Sequence, residues 1–106
     1  MNKKFIITKN EEIQEIIKSS KKLINKYFVI YYKKNKLGYN RYCISVGKKI
    51  GKAYIRNLYK RRIKDILMKN NINNSYDCVI ILRTEILKLT YLEINNSLIN
   101  LLKGEK

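Results

Sequence analysis

Residues 48–64 read KKIGKAYIRNLYKRRIK, and this stretch governs how the rest of the chain is interpreted. Its apolar residues recur every three or four positions, which is typical of a helix that buries one face. At about 100° per residue, that face consists of Ile55, Tyr59, Ile63 and Ile66, with Leu58 and Leu67 at its borders. The pattern predicts an amphipathic helix over residues 52–68 that packs on a core and turns its other side to solvent.

The solvent side of this predicted helix is basic, and the stretch contains no acidic residue. Solvated helices usually mix both signs of charge. Arg56, Lys60 and Lys64 recur every four residues, so they follow one line at about 6 Å per step, comparable with the spacing of phosphates along a strand. A bound polyanion offsets the repulsion among them. The candidate nucleic-acid-binding residues are Lys48, Lys49, Lys52, Arg56, Asn57, Lys60, Arg61, Arg62 and Lys64.

Composition supports the same reading. The chain has 106 residues and a formal net charge of +16, from 24 basic and 8 acidic residues. Its length suits one domain over residues 1–106. A general bias towards Lys explains part of this charge. It does not explain why Arg56, Arg61 and Arg62 fall within one short window. The balance points to nucleic acid or an anionic membrane surface.

Targeting and cysteine usage indicate a cytoplasmic protein. The apolar run after the basic N-terminus is too short for a secretory signal, and no apolar stretch approaches the roughly 20 residues of a membrane span. Cys43 and Cys78 lie in apolar, strand-like runs. We expect two reduced thiols that act as small core residues, with a disulfide only if the chain is exported.

Hydrophobic periodicity and turn residues predict an α+β domain in which helices pack on a sheet. A first helix is expected over residues 8–24, with Thr8 and Glu11 as a capping box or Asn10 as an alternative N-cap. Strands are expected over 27–33, 39–46 and 76–83, with a turn at 35–38 and a loop at 70–75. The last helix begins at Thr90, whose partner in a second capping box is Glu93. Its expected buried side is Leu92, Ile94, Leu98, Ile99, Leu101 and Leu102.

We find no catalytic residues and no metal ligands in the sequence. The chain has no His, which removes the commonest general base. Glu11, Glu12 and Glu15 cluster, but they belong to the start of a helix, where acidic residues favour the helix dipole. Gly47 and Gly51 bracket a basic loop whose backbone N–H groups are a weak candidate for holding a phosphate, since the spacing of a P-loop is absent.

The motif residues resemble those of the bacterial ribonuclease P protein component. The run SVGKKIGKA at 45–53, followed by Arg56-Asn57 and then Lys60-Arg61 and Lys64, is similar to that family's signature. The likeness extends upstream through KNEEIQ at 9–14 and YFVIY at 27–31. Downstream it includes YDCVII at 76–81 and LTY at 89–91. The resemblance therefore covers nearly the whole chain.

This resemblance implies an αβββαβα domain with a central mixed sheet and a left-handed βαβ crossover, against the general right-handed rule. It also implies a function. The family's protein binds a large catalytic RNA and the 5′ leader of precursor tRNA, promoting 5′-end maturation of tRNA. Cleavage belongs to the RNA and to Mg²⁺ held mainly by that RNA. The chain would then be part of an endoribonuclease without carrying its catalytic groups.

Two departures from the family pattern bear on affinity. Leu58 stands where the third residue of the Arg-Asn-Arg motif is normally Arg, so that contact is lost or moved to Arg62. The family's leader cleft uses aromatic side chains from the first helix and first strand. Tyr31 retains the strand aromatic, whereas Ile13 and Ile17 occupy the helix positions. Isoleucine packs against a base but cannot stack as a ring does, so we expect weaker leader binding.

Two other functions remain open at this point. The chain could be a general basic RNA-binding or ribosome-associated protein with no endonuclease complex. It could also place its basic helix in the major groove of DNA. The DNA-binding alternative is the weakest of the three, because residues that read base edges are sparse and no dimerisation element is evident.

Overall fold

The protein is seen in a computed structural model that describes residues 2–19, 21–70 and 74–104. Within these ranges, helices and strands follow the αβββαβα order that the resemblance implies. No helix there is long and apolar enough to cross a membrane. The elements are α1 (Asn10–Lys18), β1 (Lys22–Ile24), β2 (Phe28–Lys34), β3 (Arg41–Ser45), α2 (Ala53–Asn70), β4 (Tyr76–Leu82) and α3 (Tyr91–Lys103), with short 3₁₀ turns at Lys3–Phe5, Lys48–Ile50 and Thr84–Lys88.

The strands form one mixed sheet in the order β1-β2-β4-β3. The β1–β2 and β2–β4 pairs are antiparallel, whereas β3 and β4 run parallel. A parallel pair needs a long crossover connection, and α2 supplies it. The α+β mixed sheet is therefore confirmed. The left hand of the β3–α2–β4 crossover remains a prediction from the resemblance.

One face of the sheet carries the main core, which α2 and α3 cover. Phe28, Ile30 and Ile80 lie at its centre and are fully buried. The predicted apolar stripe of α2 packs here, with Ile55 half-buried and its other members buried. The prediction for α3 is wrong at Leu92, which is 66% exposed in the first turn of the helix. The buried residues of α3 are Ile94, Leu98, Ile99 and Leu102.

The opposite face of the sheet carries a smaller cluster under α1. Ile7, Ile16 and Val79 are buried there, and partly buried neighbours complete it. Side chains alternate along each strand, so the two faces collect different residues. Cys78 belongs to the main core and Cys43 to the smaller cluster, and both are reduced thiols, as expected.

The first helix is shorter than predicted. It ends at Lys18, where the Ser19 hydroxyl donates to the backbone oxygens of Ile16 and Tyr32. Residues 22–24, expected to be helical, pair with β2 as the edge strand β1. The predicted capping box at Thr8 and the alternative Asn10 N-cap are also wrong. Lys9 is the N-cap and makes no side-chain capping bond.

Other boundaries agree closely with the sequence. The capping box of Thr90 and Glu93 is confirmed, since each side chain accepts a hydrogen bond from the other residue's backbone N–H. Residues 36–39 form the expected bend after β2. Of the predicted loop at 70–75, Asn70 is the last residue of α2, and positions 71–73 lie outside the described residues.

Candidate nucleic-acid interface

One surface of α2 carries Arg56, Lys60, Arg61 and Lys64, and no acidic side chain of the described residues forms an ion pair with any of them. Arg56, Lys60 and Lys64 are half-buried along one line of the helix, and Asn57 and Arg61 are exposed beside them. The ion pairs found in the described part of the chain use other cations, namely Lys33, Arg41, Lys69 and Lys88. The basic side chains of this surface are therefore available to an external anion.

The turn Lys48–Ile50 extends this surface past the N-terminus of α2. Lys48, Lys49 and Lys52 are exposed there. Inside the loop, the N–H groups of Ile50 and Gly51 donate to the backbone oxygens of Gly47 and Lys48. Two of the loop's N–H groups are thus already used, so its lysine side chains, rather than its backbone, are what it offers to phosphate.

Gly51 makes the approach to α2 possible. Its φ of 155° with ψ of −168° lies in a region that residues with a side chain rarely adopt. A Cβ at this position would also come within 3.2 Å of the Ile55 side chain. The sharp junction between basic loop and basic helix therefore requires glycine.

Two residues near the apolar border of α2 behave as the projection predicts. Leu58 is half-buried at the edge of the stripe. Arg62, on the same side, has its guanidinium carbon 5.4 Å from the centroid of the Tyr59 ring. This cation–π contact holds the planar guanidinium of Arg62 against the ring of a buried residue. Arg56 differs, because its Nε is buried and has no hydrogen-bond partner among the described residues.

The predicted leader cleft lies on the other face of the sheet. Ile13 and Tyr31 are partly buried neighbours in the cluster under α1. Ile17 is half-buried one turn further along the helix and is not a member of that cluster. The structure therefore brings Ile13 and Tyr31 together and leaves Ile17 beside them at the end of α1.

Lys60 connects the basic helix with this cleft. Its charge acts on the thiol of Cys43, which is opposite Val79 in the sheet, as is Tyr31. Burial is the larger effect and raises the pKa of Cys43, while the nearby ammonium acts in the opposite direction. Because Cys43 packs against the cluster under α1, the positive charge of Lys60 is felt on that side of the sheet as well.

A largely buried group of three charged side chains attaches α1 to the sheet beside the cleft. The Arg41 guanidinium donates to both oxygens of Asp77, at 2.9 and 2.7 Å, and to Oε2 of Glu12 on α1 at 2.9 Å. These bonds, to Asp77 first and Glu12 second, raise the pKa of Arg41 above its ordinary value. Asn35 adds a bond to Asp77 at 2.8 Å. The sequence reading gave Glu12 a capping and solubility role, whereas its main contact is structural.

Sequence reasoning missed a basic groove at the end of the sheet. Its volume is about 490 Å³, and it brings Arg83 and Thr84 against the loop lysines Lys48 and Lys49, with Ser45 at its floor. Parallel β3 and β4 end at the same edge of the sheet, so the residues that follow them meet there. The sequence could have shown this groove only if β3 and β4 had been recognised as parallel neighbours. That pairing places Arg83 next to the predicted basic loop.

Six carboxylates of the described residues take part in ion pairs or in a helix cap. Glu12, Glu15, Asp65, Asp77 and Glu85 pair with basic side chains, and Glu93 completes a cap. In the parts of the chain that the structure describes, no group of three or more His, Cys, Asp or Glu side chains is placed to hold a metal ion.

Comparisons with known proteins point to one family. The sequence model of the Ribonuclease P family matches residues 1–105. A ribonuclease P protein component from Mycoplasma mycoides is 49% identical over 110 residues, covering all of both chains. One from a Geobacillus species is 40% identical over 106 residues, covering 97% of this chain and 91% of the relative.

Solved structures agree with the sequence relatives. The ribonuclease P protein of Thermotoga maritima superposes with a TM-score of 0.88 at 32% identity, covering 94% of this chain and 96% of the other. That of Staphylococcus aureus gives 0.86 at 37% identity, covering 96% and 95%. Fold and sequence therefore agree over nearly the whole length of each chain.

Proposed function

This chain belongs to the ribonuclease P protein family and is a subunit of ribonuclease P in tRNA 5′ maturation, and from that premise we propose how it binds RNA. The family decides among the three functions that the sequence left open. It favours the endoribonuclease subunit over a general RNA-binding or DNA-binding protein. We propose that the basic residues of α2 and the adjoining loop bind the catalytic RNA, and that the cleft under α1 binds the leader of precursor tRNA.

The observation that carries the proposal is the un-neutralised basic surface of α2. Half-buried stems hold Arg56, Lys60 and Lys64 in line, and Asn57 and Arg61 extend the surface into solvent. Guanidinium groups offer phosphate a two-pronged hydrogen bond, and lysines add point charge. A bound acceptor would also satisfy the buried Nε of Arg56, and leaving such a donor unpaired costs about 1–3 kcal/mol.

The cleft supports a second, weaker contact with single-stranded RNA. Tyr31 supplies a partly buried ring, and the positive charge of Lys60 acts on Cys43 of the same cluster. Aromatic rings and cations together are what unpaired nucleotides bind. Ile13 and Ile17 supply apolar area on the helix side without a ring. We therefore propose that the leader binds here, with less stacking than an aromatic cleft would provide.

The chemical step falls to the RNA partner in this proposal. The chain has no His, and its described carboxylates are engaged in ion pairs and caps, apart from Glu11 at the start of α1. Mg²⁺ would be held mainly by the RNA and would supply charge stabilisation at the scissile phosphate. The protein's part is to bind, orient and offset repulsion between two RNAs. We place this work in the cytoplasm.

Stimulation of cleavage tests the proposed division of labour. The protein is added to ribonuclease P RNA and a leader-bearing precursor at low Mg²⁺, and 5′ cleavage is measured. We expect clear stimulation by the wild-type chain and by Lys103→Ala, which removes an exposed lysine from the last turn of α3 and none from the basic helix. Arg61→Ala should stimulate less at limiting protein. No stimulation by the wild type would refute the proposal and leave a general RNA-binding role.

Leader binding is tested separately with precursors that differ only in leader length. Tyr31→Ala should reduce the preference for a leader-bearing precursor over a leaderless one. Ile17→Phe adds a ring at a half-buried position outside the cluster and should increase that preference. If the preference were the same in wild type and in both variants, the cleft would not be the leader site.

A further inference from the structure

Tyr54 is a large aromatic side chain that the fold leaves in water. The chain has nine tyrosines and two phenylalanines, all of which the structure describes. Tyr54 is 70% exposed, and every other aromatic residue is buried or half-buried. Its ring takes part in none of the ring–ring or cation–ring contacts found among the described residues. The main core and the cluster under α1 both exclude it.

The surroundings of Tyr54 are basic. It lies in the first turn of α2, with exposed Lys52 two residues before it and exposed Asn57 three residues after it. Arg61, also exposed, is about 20° away around the helix and about 10 Å further along. Helical side chains lean towards the N-terminus, so the Tyr54 ring inclines towards the lysines of the basic loop. A single exposed apolar residue is ordinary, but this one borders a dense cationic surface, of which Arg61 is the nearest member around the helix.

The direction of Tyr54 separates it from the leader cleft. The helix α2 packs on the main core, and Tyr31 lies at the cluster on the opposite face of the sheet. Tyr54 lies six positions before Lys60, whose charge acts on Cys43 of that cluster, and is therefore about 120° around the helix from Lys60. Its ring therefore faces outward on the side of Arg61, away from Tyr31 and the single strand proposed to bind there.

We propose that Tyr54 is a stacking site for an unpaired nucleobase of the catalytic RNA, a contact that rests on the proposed function. An exposed ring among cations is the combination that binds an unstacked base, with the ring taking the base and the cations its phosphates. Arg61 is within one or two nucleotides' reach of the ring. The same chemistry in the leader is the other possible source, and the direction of the ring favours the RNA subunit.

Affinity for ribonuclease P RNA alone, without precursor, tests the contact. Tyr54→Ala should weaken binding about tenfold, and Tyr54→Phe should stay within about twofold of wild type, because stacking needs the ring and not the hydroxyl. Tyr54→Leu keeps apolar area without a ring and should resemble Tyr54→Ala. Leu92→Ala, at a position 66% exposed on α3, is the matched control and should bind as wild type.

Two further readouts separate stacking from charge and from folding. The slope of log affinity against log salt should be unchanged in Tyr54→Ala, because no phosphate contact is lost, whereas Arg61→Ala should reduce its magnitude by about 0.7–0.9. The chain has no Trp. Y54W therefore introduces a single reporter, and its fluorescence should be quenched when the RNA binds.

Each outcome bears on one claim. Wild-type affinity in Tyr54→Ala, with weakened binding in Arg61→Ala, overturns the stacking site and leaves the proposed function standing. Equal affinity of Tyr54→Leu and wild type overturns stacking as the cause. A loss seen only with leader-bearing precursor, and not with the RNA subunit alone, overturns the assignment to the catalytic RNA. Failure of the wild type to bind the RNA overturns the proposed function itself.

Discussion

Substituting Arg41 by methionine should loosen α1 and destabilise the protein by about 3 kcal/mol. Methionine retains most of the apolar stem but removes three charge-assisted hydrogen bonds, two to Asp77 and one to Glu12. Breaking a buried pair costs about 3–5 kcal/mol, because the remaining charge is left buried. Here the Arg41 side chain is 20% exposed and that of Asp77 12%, and Asn35 still donates to Asp77, so we take the lower end of that range.

Urea denaturation measures this loss, and a second ion pair from α1 provides the control. Lys33 and Glu15 are joined at 3.5 Å with side chains 50% and 69% exposed, so Lys33→Met should cost under about 0.5 kcal/mol. Arg41→Met should also reduce the preference for leader-bearing precursor, since Glu12 no longer holds α1 over the cleft. Equal unfolding free energies for Arg41→Met and Lys33→Met would refute the reasoning.

The Arg41 contribution should not vary with pH across the usual working range. Its hydrogen bonds to Asp77 and Glu12 raise the pKa of the guanidinium in the folded state above the unfolded value. A raised pKa gives stability that is fully present below the unfolded pKa and is lost only as pH rises through the folded one. For arginine both pKa values lie well above the working range. The difference between wild type and Arg41→Met should therefore be the same at pH 6 and pH 9.

Three further predictions follow from the interface. The affinity for ribonuclease P RNA should fall with salt at a log–log slope of roughly −4 to −8, as six to eight phosphate contacts require; a slope near −1 would contradict the extended basic surface. Cys43 should alkylate more slowly than a free cysteine at pH 8, because burial raises its pKa and its thiolate forms only at higher pH; bound precursor should slow the reaction further. Mass spectrometry should show labelling of Cys43 before labelling of buried Cys78, and the reverse order would contradict the position of Cys43 beside the cleft. Gly51→Ala should lower stability by about 1–3 kcal/mol, measured by thermal melting, whereas Gly47→Ala should be near neutral, since its φ is −74° and a Cβ at that position would have no neighbouring atom within 4 Å; equal melting temperatures would show that the loop relaxes freely.

The basic helix was predictable because two independent signals agree along it. Its apolar residues recur at helical spacing, and its charged residues fill the remaining surface. The apolar pattern and the charge pattern therefore predict the same helix with the same orientation. Burial of Tyr59, Ile63 and Ile66 is the structural result of that agreement. The α3 stripe was predicted for the same reason, and its start was fixed by the cap at Thr90. Leu92 was assigned wrongly because it lies about 20° around the helix from buried Ile99, and the angle alone does not show that the first turn is exposed.

Contacts between distant parts of the chain could not be predicted in this way. Arg41, Asp77 and Glu12 are far apart in sequence, and the residues around each of them give no indication of the other two. The groove at Arg83 depends on which strands are neighbours in the sheet, and the periodicity of a single strand does not reveal the strand order. The residues alone gave two strands before the basic helix. The third came only through the family resemblance.

The missed strand β1 explains why the cleft is open. A first helix continuing to Ile24 would have laid another turn and a half across the sheet. Instead α1 ends at Lys18, and residues 22–24 join the sheet edge. Ile24, Val29 and Ile81 then form a continuous cross-strand row, with Ile24 50% exposed and the other two half-buried. Of these three, Ile81 alone packs against the cluster under α1. Lys22 lies in the short edge strand and Lys21 directly before it, and exposed lysines at a sheet edge disfavour pairing with another chain. The error in the sequence reading and the accessibility of the cleft therefore have one cause, a helix that stops early.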